Sequence, residues 1–160
     1  MRAMKMITID FLKNHPGCIP RLAEIWHEGL GKIWLPDVPV ERVIQRFGDH
    51  LNMDNLPITW VALDADKPVG MCSLRDNDGI RPDIRPWLGS LVVDSKYHKQ
   101  GIGKMLIDAV KNKAHEMGFN KLYLFAFDPT IPEYYSRLGW STIGMDDFRQ
   151  HPVTVMERVL

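Results

Sequence analysis

An α/β fold carried by one sheet is predicted by three features of the 160-residue chain: two strand-like runs joined by Ala65-Asp66-Lys67-Pro68, a strand, helix, strand succession in the second half, and two further strand-like segments at the end. The first feature predicts an antiparallel hairpin and the second a parallel pair, so the sheet is expected to be mixed.

Met6 to Phe11 reads as the first strand. After Asn14-His15-Pro16-Gly17, the apolar residues Leu22, Ile25, Trp26 and Leu30 recur at helical spacing and predict a helix over 19–30. A second helix is expected from about Pro39 through Val43, Ile44 and Phe47, with Gly31 to Pro39 (GKIWLPDVP) as an irregular aromatic loop between the two. Ile58 to Asp64 and Val69 to Leu74 form the hairpin, followed by the polar, turn-rich Arg75 to Pro86. Leu88 to Val93 is a short apolar run and reads as a buried strand. From Ile102 the residues Met105, Leu106, Ala109, Val110, Ala114 and Met117 fall on one helical face, and Gly118 can end that helix in the left-handed conformation. Lys121 to Phe127 is nearly all apolar, as for a strand covered on both faces. Thr130 and Glu133 have capping-box spacing at the head of a short helix that Gly139 stops, and Ser141 to Met145 and Val153 to Leu160 supply the closing strands.

Composition narrows the function classes. Hydrophobic residues make up 45% of the chain, enough for a core, and the sequence reads as a single domain over 1–160. Formal net charge is zero, so the overall balance favours neither nucleic acid nor an anionic membrane as partner. Cys18 and Cys72 form no CxxC pair and the six histidines never fall at HxxxH spacing, which suggests neither a disulfide framework nor a metal site. The N-terminal stretch has no long apolar run, and the expectation is a cytoplasmic protein.

The most informative stretch is Tyr97 to Leu106, YHKQGIGKML, with Gly101 and Gly103 where a strand gives way to a helix. The backbone N-H groups of about Gln100 to Lys104 are the unpaired donors of a helix N-terminus, the dipole adds partial positive charge, and Lys99 and Lys104 add whole charges. Without side chains at Gly101 and Gly103 a phosphate can reach the main chain; the competing reading is a turn that only packs helix against sheet. A Walker loop is excluded because Lys104 precedes Met105 instead of Ser or Thr, and a dinucleotide fingerprint because Leu106 stands where a third small residue belongs.

The constellation resembles the GNAT superfamily of N-acetyltransferases, whose cofactor loop Arg/Gln-x-x-Gly-x-Gly/Ala follows a strand ending in an apolar-Val-Asp pattern. Leu91-Val92-Val93-Asp94 and His98-Lys99-Gln100-Gly101-Ile102-Gly103 match it, and Tyr134-Tyr135-Ser136-Arg137-Leu138-Gly139-Trp140 matches a second motif. His98 stands in place of Arg or Gln, and Asp128 where Asn is frequent. The resemblance implies a GNAT-like α/β fold: a mixed, mostly antiparallel sheet with splayed central parallel strands, here Leu88 to Val93 and Lys121 to Phe127, flanked by helices. Acetyl-CoA would insert its pantetheine arm between those strands and rest its pyrophosphate on the loop. The cofactor-binding residues so implied are Leu91, Val92, Val93, His98, Lys99, Gln100, Gly101, Ile102, Gly103, Lys104, Asp128 and Tyr135, with no metal.

The implied reaction is attack of an unprotonated primary amine on a thioester, through a tetrahedral oxyanion, with expulsion of a thiolate. Backbone N-H groups around Leu91 to Val93 are candidates to polarise the carbonyl. The resemblance puts the proton donor for the sulfur on Tyr135, and a phenol with pKa about 10 is protonated at neutral pH as that role requires. Tyr134 serves as the comparison residue, expected to face elsewhere. No base announces itself: Glu24, Glu28, Asp37 and Asp83 are candidates, though each reads more readily as a solvated surface carboxylate, and Ser90 could hold a water, though a buried serine satisfied by backbone is the plainer reading. Trp26, Trp34 and Trp87 could line the acceptor site, and the Arg75-Asp76-Asn77-Asp78-Gly79 turn could attract a cationic amine. The acceptor, a small molecule or a protein amine, is left open, a homodimer is compatible with the sequence, and a non-catalytic acyl-CoA-binding module on the same fold is the alternative.

Overall fold

The computed structural model describes residues 6–127 and 131–160. Its sheet has seven strands, β1 (Ile7–Phe11), β2 (Ile58–Asp64), β3 (Lys67–Arg75), β4 (Trp87–Val93), β5 (Lys121–Ala126), β6 (Ser141–Phe148) and β7 (His151–Val159), in the order β1-β2-β3-β4-β5-β7-β6. All neighbours are antiparallel except β4 and β5. The expected mixed sheet is therefore present, with its parallel pair at the centre.

Helices cover both faces. On one, α4 (Ile102–Glu116) and α5 (Ile131–Arg137) pack Ile102, Leu106, Ile107, Val110 and Tyr135 against Ile58, Trp60, Leu74, Leu122 and Leu124. On the other, α1 (Ile19–Trp26) and α3 (Val40–Gly48) pack Leu22, Trp26, Val43 and Phe47 against Val61, Met71 and Val92. Each such large side chain, fully buried, contributes about 1.5–3 kcal/mol, so both helical layers are held firmly to the sheet that carries the site.

Four expectations need correction. The buried arc of α4 runs through Ile102, Leu106, Ile107, Val110 and Ala114, while Met105 lies off its edge and is exposed. Gly31 to Trp34 is not loop: a π-helical turn (His27–Gly31) and the short α2 (Lys32–Trp34) extend α1. Gly31 permits this because a Cβ there would stand 2.7 Å from the Trp26 ring. In β5, Leu122, Leu124 and Ala126 are buried under α4 but Tyr123 and Phe125 are only half-buried, because its far face borders an open space beside β4. Both closing strands are also longer than expected, meeting at a tight turn at Arg149 and Gln150, both with positive φ. Thr130, and with it the expected capping box, lies outside the described residues.

Candidate active site

The parallel strands touch only where they begin. β4 and β5 share one paired position, Trp87 with Tyr123, where the Tyr123 N-H donates to the Pro86 carbonyl at 3.1 Å. Beyond it they part, and the expected splay is present. A bulge in β4 contributes to the opening: three β4 steps, Gly89 to Val92, oppose two β3 steps, Ser73 to Met71, and Ser90 takes φ 52. Ser90 is held there by donors from both sides, since its Oγ accepts from Arg75 Nη2 at 2.6 Å and from Trp26 Nε1 at 3.3 Å. The hydroxyl is thus engaged by side chains and is not a free water site.

Past the bulge, the amide directions follow from strand alternation. Asp94 N-H donates to the Val69 carbonyl of β3 at 2.8 Å, so the Val92 amide also faces β3, whereas those of Leu91 and Val93 face the gap. Val92 instead packs its side chain beneath α1. Of the three strand residues expected at the cofactor, Leu91 and Val93 have amides to offer and Val92 does not.

The loop after β4 turns on two left-handed residues, Lys99 at φ 62 and Gly101 at φ 78. Alternating handedness of this kind makes a concave nest of N-H groups, and it runs directly into the first turn of α4, where Gly101 is the N-cap and Ile102, Gly103 and Lys104 carry unpaired amides. A Cβ at Gly101 would meet nothing within 4 Å, so the space above the backbone is open. Asp94 anchors the entry to this loop: burial would raise its pKa, but hydrogen bonds from the Lys96 N-H and from Arg21 Nη2 at 3.0 Å hold it below the usual carboxylate value. His98 folds back and its Nε2 donates to the Val93 carbonyl at 2.9 Å, fastening loop to strand end. Lys104 is bound to Asp108 of its own helix at 2.9 Å, which leaves Lys99 as the freer cation of the two. Gln100 is exposed and Ile102 is buried in the core, offering only its amide. Asp128 lies outside the described residues.

Tyr135 projects from α5 into the wall of the gap and is 7% exposed. Trp140 is brought back over it by Gly139 at φ 93, with the Leu138 and Trp140 amides both donating to the Tyr135 carbonyl, and the two rings meet edge-on at 5.8 Å. That accounts for the spacing of the second motif: helix, glycine stop, and an aromatic lid on the tyrosine. Burial raises the Tyr135 pKa far above its ordinary value, so the phenol is protonated at any physiological pH. Tyr134 is not remote from the cofactor loop: its hydroxyl lies 3.3 Å from where a Gly103 Cβ would stand.

A cavity of about 610 Å³ opens from the gap onto the α1 and α3 side of the sheet. Trp26 and Trp34 line it, whereas Trp87 is fully buried with its Nε1 donating to the Ile84 carbonyl. Trp34 gathers an aromatic wall, meeting the rings of Phe125, Phe127 and Phe148 at 5.8, 5.3 and 5.3 Å. None of Glu24, Glu28, Asp37 and Asp83 lines the cavity; Glu24 is paired with Arg21 and Glu28 with Lys32 on the surface. The carboxylate in the wall is Asp78. From the turn after β3 it packs against β4, its two oxygens 3.0 and 3.2 Å from where a Gly89 Cβ would stand, so only glycine at 89 admits it. Arg75 Nη1 donates to Oδ1 at 2.9 Å, and among the described residues Oδ2 has no hydrogen-bond partner. Burial raises the Asp78 pKa, with Arg75 opposing. The sequence singled out its turn but not this residue; a glycine three positions into the next strand, read as a place for close approach, was the signal available.

A parted parallel pair, an amide nest at its open end and a tyrosine in the gap thus come together in one place. The acetyltransferase (GNAT) family profile matches residues 10–140, and the chain belongs to that family. Its fold is shared by an aminoglycoside 6'-N-acetyltransferase complexed with coenzyme A (21% identity, 96% of each chain, TM-score 0.71), Ard1 from Thermoplasma volcanium (16%, 96% of this chain and 97% of that one, 0.72) and a GCN5-related N-acetyltransferase from Kribbella flavida (16%, 96% and 98%, 0.74). No curated protein matches it in sequence. Among the described residues, no group of side chains is arranged to hold a metal ion, and no helix is long and apolar enough to cross a membrane.

Proposed function

We propose that the chain, acting as one domain over residues 1–160, is an acetyl-CoA-dependent N-acetyltransferase that acetylates a primary amine by direct attack on the thioester. The observation that carries this reading is the single paired position between β4 and β5, with inward amides, an amide nest and a buried tyrosine arranged around the resulting gap. Acetyl-CoA, when bound, supplies the activated acetyl group. The Leu91 and Val93 amides would receive the arm and polarise the carbonyl, a role in which one well-placed donor is worth about 10² to 10³ in rate. The amides of Gln100 to Lys104, with Lys99, would hold the pyrophosphate, and Tyr134 is near enough to Gly103 to add a hydroxyl there. As the amine nitrogen bonds to the acetyl carbon and the carbon-sulfur bond breaks, Tyr135 would give its proton to the sulfur.

Asp78 is the base this reading adds. An alkyl amine with pKa about 10.4 is almost wholly protonated at neutral pH, and Asp78 Oδ2 is a free acceptor on the cavity wall beside the β4 bulge, raised in basicity by burial. It would take the proton that the amine loses.

The test is thermal unfolding with acetyl-CoA. A ligand at 100 times its dissociation constant adds about 2.7 kcal/mol to the folded state, and Gly101→Val should abolish that gain by filling the open space above the loop. Because Val is strained at positive φ, the variant's own melting temperature is recorded without ligand. No stabilisation of the unaltered protein at millimolar acetyl-CoA overturns the proposal; full affinity in a folded Gly101→Val protein would make the loop purely structural.

A further inference from the structure

The charges on the cavity wall point to the kind of amine that enters it. Among the described residues, the charged side chains lining the cavity are Arg46, Arg75, Arg149 and Asp78. Arg75 is committed to Asp78 and to Ser90. Arg46, near the end of α3, and Arg149, in the turn between β6 and β7, form no ion pair among the described residues, and both are exposed. Arg149 stacks on the Phe148 ring at 5.7 Å, which holds its guanidinium beside the aromatic wall. Two arginines from elements remote in sequence thus line one cavity, neither with an ion pair among the described residues.

We infer that the acceptor is a compact primary amine carrying an anionic group, carboxylate or phosphate, on an apolar or aromatic frame, with the anionic group held by Arg46 and Arg149 and the amine directed to Asp78. This rests on the acetyltransferase reading above and narrows its substrate class. The guanidinium fork matches a carboxylate or phosphate bidentately and is less strongly hydrated than an ammonium, so it suits a site that a substrate must desolvate. The apolar wall of Trp34, Phe125, Phe127 and Phe148 matches the rest of such a molecule. A polycation meets the opposite conditions: among the described residues the cavity wall carries one carboxylate, whose Oδ1 is already paired with Arg75, and two arginines without an ion pair.

Matched acceptors test this: phenylalanine, its phosphonic acid analogue, phenylalanine amide and phenethylamine share one frame and differ in the anionic group, with kanamycin and spermidine as polycations. Thiol release is followed with acetyl-CoA, and acceptor binding in the presence of coenzyme A by calorimetry. The expected result is that the anionic members exceed phenethylamine and the amide in kcat/KM, the better of the carboxylate and the phosphonate identifying the group. Arg46→Ala and Arg149→Ala should each raise the KM for that acceptor about ten- to hundred-fold with an unchanged acetyl-CoA dissociation constant, and the Arg46→Glu/Arg149→Glu double variant should reverse the preference toward cationic amines. A preference of the unaltered protein for kanamycin, spermidine or phenethylamine overturns the inference. So does a loss of acetyl-CoA affinity in the arginine variants, or acetyl-CoA binding without turnover or calorimetric binding of any anionic amine. Failure to bind acetyl-CoA at all falls instead on the acetyltransferase reading.

Discussion

The loop proposed to hold the cofactor and the wall proposed to face the acceptor lie on either side of the same gap and are built from different material. The loop is one unbroken stretch, Val93 to Lys104, and what it offers is main chain: amides, two left-handed residues and a helix start. The wall is gathered from α1 to α3, the turn after β3, the end of β5 and the turn between β6 and β7, and what it offers is side chains. A main-chain site tolerates change at most of its positions provided the glycines and the handedness are kept, whereas a side-chain site can be altered residue by residue without disturbing the fold. One side of the gap therefore depends on backbone shape and the other on the identity of single side chains.

Tyr135→Phe should produce the largest effect and should fall on the shared centre of the gap. It keeps the ring and its contact with Trp140 and removes only the proton donor, so turnover should drop about 10² to 10⁴-fold with acetyl-CoA affinity and acceptor KM little changed. Because burial lifts the Tyr135 pKa far above 10, the unaltered enzyme should show no loss of rate from this group up to about pH 10. Near-normal turnover of the variant, measured where chemistry limits the rate, would transfer the acid role to water or to another side chain. Tyr134→Phe is informative in a different way than its sequence position suggests: since its hydroxyl adjoins Gly103, any loss should appear in acetyl-CoA affinity and not in turnover.

Asp78→Asn should separate the two sides more sharply. It should lower kcat/KM for the amine about 10²-fold while leaving acetyl-CoA binding intact, and the acid limb of the pH profile that belongs to a carboxylate should disappear. Retention of that limb in the variant would show that the base lies elsewhere.

The last expected effect leaves chemistry untouched: it is on stability and concerns the support of the cavity wall. His50, just after α3, is buried with its Nδ1 2.9 Å from Thr59 Oγ1, which in turn lies 2.6 Å from Ser73 Oγ. Burial, aided by Arg75 and Arg46, lowers its pKa to about 4 from an ordinary 6.5. Over that interval the unfolded chain holds the extra proton, so stability rises with pH and is lost on acidification from about pH 6.5 to about pH 4, by on the order of 3 kcal/mol. His50→Gln keeps a hydrogen-bonding group but cannot titrate, and its denaturation midpoint should fall less than that of the unaltered protein over the same range. Equal falls would mean that His50 is protonated without cost.

Most of the sheet and the glycine-bearing turn into α4 can be read from the sequence, because each rests on local rules. Alternation and apolar runs mark the strands, helical spacing marks α4, and Gly101, Gly118 and Gly139 all take the left-handed conformation where a turn or helix end requires it. Where local rules compete, the reading is less complete. The Gly31-Pro39 segment looks like loop because Gly and Pro bracket it, yet Gly31 to Trp34 is helical because Gly31 fits against the Trp26 ring. Met105 is as apolar as its neighbours, but the direction from which the sheet meets α4 leaves it exposed and buries Ile107.

The cavity wall proposed to face the acceptor was decided by tertiary structure alone. Nothing local distinguishes Asp78 from Asp76, or Arg46 and Arg149 from the other arginines, and what selects them is that the sheet and α3 bring positions 46, 78 and 149 to one cavity. The splay of β4 from β5 belongs to the same class: a bulge at Ser90, held by Trp26 and Arg75, contributes to it. An anion nest is a property of consecutive backbone torsions, which neighbouring residues set, whereas a substrate pocket is a property of distances between residues far apart in the chain, which only packing sets.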